Sequence, residues 1–145
     1  MKKATKISLL LFGVLILFSS RCKKESNDCQ TRIKTINNTN RTIYVDASDL
    51  HYPDTIFVGP TPINNPEWTK VEAFHSNNNT LISPGDCWET KFNNIQSGVL
   101  SVYVFDSDTL NNILWDTVKV KSLYLKRYDL TLQNLKDRNW TITYP

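Results

Sequence analysis

The sequence predicts a mainly β fold for residues 31–145: a single-domain β-sandwich, Ig-like in general architecture, with one short helix inserted before the C-terminal strands. Three observations predict it. Short runs rich in β-branched and aromatic residues recur along the chain, and turn residues separate them. Only one longer stretch, 108–119, spaces its apolar residues as a helix does. A single-sheet α+β arrangement is the alternative.

In chain order, residues 32–37 and 41–46 flank the polar turn Asn38, Thr39 and Asn40, the pattern of a β-hairpin. Residues 46–66 carry Tyr52-Pro53-Asp54 and Pro60-Thr61-Pro62, so they read as a loop around the short apolar piece 55–58. Residues 70–75 and 87–92 read as two further strands, joined through the turn Ser83-Pro84-Gly85-Asp86. Residues 98–105 give the strongest strand. Val99, Leu100, Val102, Tyr103, Val104 and Phe105 are apolar on both parities, as in a central strand covered on both faces. In 108–119, Leu110, Ile113, Leu114 and Val118 fall on one helical stripe, with Ser107 or Asp108 as N-cap. Residues 123–132 return to strand, 134–138 form a helical turn capped by Thr131, and Trp140, Ile142 and Tyr144 alternate with threonines in a last strand.

The first 21 residues read as a signal peptide. A basic start (Lys2, Lys3, Lys6) precedes the apolar run 7–18, followed by Ser19 and Ser20. That run is too short for a bilayer, which needs about 20 residues. The placing of Cys22 directly after this segment resembles the lipobox of bacterial lipoproteins, although Arg21 stands where a small residue is usual. The resemblance implies lipidation of Cys22. Residues 22–30 then form a polar, lipid-anchored tether. Cys29 and Cys87 remain as an even pair in an exported chain, which predicts a disulfide.

The formal net charge of +3 comes from the leader. Without Lys2, Lys3, Lys6 and Arg21, 13 basic residues face 14 acidic ones, a net charge of −1. A broadly basic nucleic-acid binder is excluded, since such affinity rests on neutralising phosphates. His51 and His75 lie outside the Cys/His spacings of zinc sites, so neither a metal nor a cofactor is expected.

The stretch 125–132 followed by Asn139-Trp140-Thr141-Ile142-Thr143-Tyr144-Pro145 resembles the ending of a group of small Bacteroidales lipoproteins. Residues 104–110, Trp115 and Tyr52-Pro53-Asp54 resemble that group as well. The resemblance implies an envelope location, at the outer membrane and facing the periplasm or the cell surface. It transfers no catalytic or binding residue.

Chemistry must then come from the residues themselves. The strand 102–105 running into Asp106 and Asp108 resembles the first motif of haloacid-dehalogenase-like phosphatases, where two aspartates and Mg²⁺ act on phosphorus. The chain after Asp108 is too short for the rest of such a fold. The packing interpretation has Asp106 and Ser107 turn the chain while Asp108 caps the helix. Glu67, Glu72 and Glu89 read as solvated charges. Among Trp68, Trp88, Trp115 and Trp140, most aromatics should fill the core. Trp68 stands apart. Its loop context, Asn64-Asn65-Pro66-Glu67, makes it the candidate exposed binding aromatic, against the packing interpretation in which it too fills the core or anchors its loop. The expectation is a non-catalytic domain that binds or scaffolds, with a glycan or an envelope protein as partner; a small Mg²⁺-dependent hydrolase using Asp106 and Asp108 is the alternative.

Overall fold

The computed structural model describes residues 29–50, 52–53, 59–83 and 85–145. The leader, Cys22 and most of the tether lie outside the described residues, as do His51, Asp54, the apolar piece 55–58 and Pro84. The domain is mainly β, with seven strands in two sheets among the described residues. The strands are β1 (Lys34–Asn37), β2 (Ile43–Ser48), β3 (Lys70–Val71), β4 (Ser76–Asn77), β5 (Leu100–Asp106), β6 (Lys126–Leu130) and β7 (Thr141–Tyr144). Among the described residues are five short helices rather than one: α1 (Pro66–Thr69), α2 (Trp88–Asn94), α3 (Ser107–Asn112), α4 (Trp115–Val120) and α5 (Leu132–Asp137).

The larger sheet has the order β3-β2-β5-β6 and is antiparallel throughout. The smaller has the order β4-β1-β7, with β1 and β7 parallel, Lys34 lying opposite Thr141 and Asn37 opposite Tyr144. The expected hairpin between β1 and β2 therefore does not form. Asn37 explains why. Its buried side chain donates to the carbonyls of Arg41 at 2.6 Å and Glu72 at 3.0 Å, and accepts from the Thr39 N–H at 3.0 Å. This local ring of bonds ends β1 and sends the chain into the other sheet.

β5 is central and buried on both faces, as its apolar residues on both parities require. Leu100, Val102 and Val104 face a core shared with Ile33, Ile142, Leu135, Trp88 and the β2 residues Ile43 and Val45. This cluster joins the two sheets. On the opposite face, Tyr103 and Phe105 pack with Tyr44, Leu110 and Val118 beneath α3 and α4. The larger sheet thus lies between the smaller sheet on one side and two helices on the other.

Several elements differ from expectation for identifiable reasons. The expected strand 87–92 is helix α2. Trp88, Phe92 and Ile95 are all buried, and the spacing i, i+4, i+7 fits only a helix. The expected strand 70–75 stops after Val71, because the chain turns and Phe74 adopts a left-handed conformation (φ 57°) before β4. The single helix expected over 108–119 is broken into α3 and α4. Of its stripe only Leu110 and Val118 are buried, while Ile113 and Leu114 are exposed at the break, Leu114 by 81%. The break lets the Trp115 indole donate to the Gly59 carbonyl at 3.0 Å and meet Phe105 edge-on at 5.5 Å. The N-cap of α3 is neither Ser107 nor Asp108. It is Asp106, whose Oδ2 accepts the Thr109 N–H at 3.1 Å.

Thr131 does cap the last helix. Its hydroxyl accepts the Asn134 N–H at 3.2 Å, and the Asn134 side chain accepts the Thr131 N–H at 3.1 Å, a reciprocal capping box. Asn139 and Trp140, both at positive φ, then end α5 and swing the chain into β7. Replacing Thr131 by Ala is expected to destabilise the domain by about 1 kcal/mol, read as a lower urea midpoint at unchanged slope.

Candidate functional site

The described surface is indented by a cleft of about 450 Å³. It is bounded by β2 at Val45–Ala47, by the segment 59–69, and by the start of α2. Each wall is fixed locally. In the segment 59–69, Pro62 opens a 3-10 turn (Pro62–Asn64) and Pro66 opens α1, both at positions where proline's fixed φ suits a helix start. The Thr69 hydroxyl ties the two together, reaching the Pro62 carbonyl at 2.7 Å and the Asn65 carbonyl at 2.9 Å. Trp68 sits on this braced turn and is 53% exposed while lining the cleft. Of the four tryptophans it is the one left largely in water; Trp88 is buried, and Trp115 and Trp140 are partly so.

The opposite wall is α2. The Trp88 indole N–H donates to the Leu81 carbonyl at 3.1 Å, and Leu81 itself holds a positive φ of 52°. A left-handed leucine costs about 1 kcal/mol, which the surrounding core must supply. One turn further along α2, the Lys91 ammonium lies 4.9 Å over the Trp88 ring and 3.4 Å from Asp49 Oδ2. The start of the helix is held covalently. A disulfide joins Cys29 to Cys87, the N-cap of α2. Beside it Gln30 accepts the Trp88 N–H at 2.8 Å and donates its own N–H to Glu89 at 3.0 Å.

Asp46 lines the same cleft from β2. Burial pushes its carboxyl up from 3.8 to about 6, and its one opposing influence is the hydrogen bond from the Ala47 N–H at 2.8 Å. A carboxyl held above its ordinary pKa in the lining of a cleft that also carries a half-exposed indole is a pattern of functional sites. A second hollow of about 510 Å³ adjoins the first through Lys91, which lines both; Asp49, Leu50 and Tyr52 border it.

Asp106 and Asp108 are placed differently. Asp106 Oδ2 is taken up by the α3 cap and Oδ1 lies 3.8 Å from Arg41, while Asp108 is exposed in the first turn of α3. Neither lines the cleft. Glu72 pairs with Lys70 at 2.7 Å and with the Thr42 hydroxyl at 2.8 Å; Glu89 holds Gln30. His75 is exposed, its Nδ1 2.7 Å from the Ala73 carbonyl. Among the described residues, no three of His, Cys, Asp and Glu gather closely enough to hold a metal ion, and no helix is long and apolar enough to cross a membrane.

Sequence reasoning singled out Trp68 and the two cysteines but missed Asp46 and Lys91. Asp46 alternates with Val45 and Ala47 as the outer face of any half-buried strand does, so the sequence carries no signal for it. Lys91 has none either, because its place depends on α2 being a helix. No protein-family model, curated protein or solved structure matches this chain.

Proposed function

We propose that this chain is an exported lipoprotein, anchored to a membrane by acyl chains on Cys22, whose single domain binds a ligand in the Trp68 cleft and carries out no chemistry. The observation that carries the binding role is the cleft itself, whose lining includes a braced, half-exposed indole and the Asp46 residue of β2. The engagement of Asp106 as a helix cap supports a non-catalytic role, since both its oxygens already have structural partners.

The tether adds a geometric consequence. Cys22 and Cys29 are seven residues apart, a span of at most about 25 Å. Cys29 is bonded to the N-cap of α2, whose Trp88 and Lys91 line the cleft. An acyl anchor, holding on by about 0.8 kcal/mol per buried methylene, would therefore keep the cleft close to the bilayer surface. The partner is then a component of the envelope, and the resemblance to small Bacteroidales lipoproteins agrees with an outer-membrane placement.

The test of the anchor is intact mass and fractionation of the expressed full-length chain beside Cys22→Ser. The expected result is an acylated wild type that begins at Cys22 and pellets with membranes, and an unacylated, soluble variant. A soluble, unacylated wild type would overturn the anchor.

A further inference from the structure

The two hollows share Lys91 in their walls, and each has a large exposed aromatic in its lining: Trp68 in the first, 53% exposed, and Tyr52 in the second, 44% exposed. An aromatic ring offers a flat apolar face with a polar rim, which suits a ligand that is itself apolar on one face and hydroxylated at its edge. The cleft supplies the matching edge contacts. Thr61 and Asn65 stand at helix N-cap positions without using their side chains as caps, which leaves a hydroxyl and an amide on the wall. The Asp46 carboxyl is the third such group, with one hydrogen bond from Ala47.

Charge decides between ligand classes. The ammonium at the junction, Lys91, is 3.4 Å from Asp49, so the pair offers little net charge to a ligand. Phosphate-bearing and polyanionic ligands need an excess of cations, and a basic peptide needs an excess of carboxylates. The wall has no excess of cations, and its one carboxylate beyond the Lys91–Asp49 pair, Asp46, is too few for a polycationic peptide. A ligand with repeated units, each with an apolar face and neutral hydroxyls, matches two aromatic platforms on a wall that lacks excess cations.

We infer that the joined hollows form one trough for a linear, uncharged oligosaccharide, with one sugar ring stacked on Trp68 and a later ring at Tyr52. This rests on the proposal that the Trp68 cleft is the ligand site, and deepens it by naming the ligand class.

The experiment is tryptophan-fluorescence titration of the detergent-extracted full chain with β-1,4-linked gluco-, manno- and xylo-hexasaccharides, β-1,3-linked gluco-hexasaccharide and α-1,4-linked gluco-hexasaccharide. The corresponding disaccharides, hexagalacturonate and a mixed pool of octapeptides are run beside them. At least one neutral hexasaccharide is expected to bind saturably and at least tenfold more tightly than its disaccharide. Trp68→Ala should weaken that binding at least tenfold. Tyr52→Ala should weaken the hexasaccharide and leave the disaccharide unchanged. Unaltered thermal midpoints would show that both variants remain folded. No binding by any neutral hexasaccharide overturns the inference. Trp68-dependent binding of the galacturonate or of the peptides alone overturns it too, while leaving the cleft as the ligand site. If no probe of any class depends on Trp68, the cleft falls with it.

Discussion

Removing the Cys29–Cys87 bond, by the double substitution Cys29→Ser/Cys87→Ser, is expected to destabilise the domain by about 4 kcal/mol. The bond closes a loop of 58 residues, and a loop of that length restricts the unfolded chain by about this amount. In urea, the midpoint should fall by about 2 M, with a steeper slope because the unlinked denatured chain exposes more surface. The loss should also be felt locally. Cys87 is the N-cap of α2, and next to it the Gln30 carbonyl and N–H are bonded to Trp88 and Glu89. Amide hydrogen exchange in α2 should therefore accelerate more than exchange in β5, which the bond does not touch. An unchanged midpoint would mean that the loop contributes nothing to stability.

Asp46→Asn is expected to act in the opposite direction and to depend on pH. The folded domain holds the Asp46 proton more tightly than the unfolded chain, because burial raises its carboxyl from 3.8 to about 6. Wild-type stability from this group is therefore highest in acid and falls as pH rises from about 4 to about 6. Above pH 6 the carboxylate is charged in a site that disfavours it, at a cost of about 3 kcal/mol. Asparagine keeps the acceptor for the Ala47 N–H and carries no charge. The variant should accordingly exceed the wild type by up to about 3 kcal/mol at pH 7.5 and match it near pH 3.5. Chemical denaturation at both pH values gives the difference, in which all other titrating groups cancel. A gap of equal size at both pH values would show that the carboxyl is not held protonated by its surroundings.

A residue that destabilises its own fold at neutral pH is one that packing alone does not explain, and here it lies in the cleft with Trp68. The exposure of Trp68 was legible because proline and asparagine beside a large aromatic mark a surface segment, although Trp68 lies in the short helix α1 and not in a loop. β5 was legible because both parities were apolar, and only a strand covered on two faces has that composition. The cap at Thr131 was legible for an equally local reason, and the pairing of Cys29 with Cys87 from the even count of cysteines left after Cys22. What escaped was non-local or ambiguous. Trp88 and Phe92 are four apart, a spacing that suits a strand face as well as a helix stripe; Ile95, three further on, is what separates the two. Asn37 read as the last residue of a hairpin strand, yet its buried side chain directs the chain between sheets. The parallel pairing of β1 with β7 joins the two ends of the domain, and no local pattern encodes it. The cleft depends on all three, since β2, α2 and the braced segment 59–69 meet only when both sheets are in place.

The most direct test of a binding domain with its site at this cleft sets Trp68→Ala against Asp106→Asn in the full-length chain. Thermal midpoints would be followed against envelope extracts fractionated into glycan, lipid and protein pools, with phosphate-ester turnover in Mg²⁺ assayed in parallel. The expected result is a pool that raises the midpoint of the wild type and of Asp106→Asn but not of Trp68→Ala, with no turnover in any of the three. Ester hydrolysis by the wild type that is lost in Asp106→Asn and kept in Trp68→Ala would contradict it, and would place the function at the end of β5.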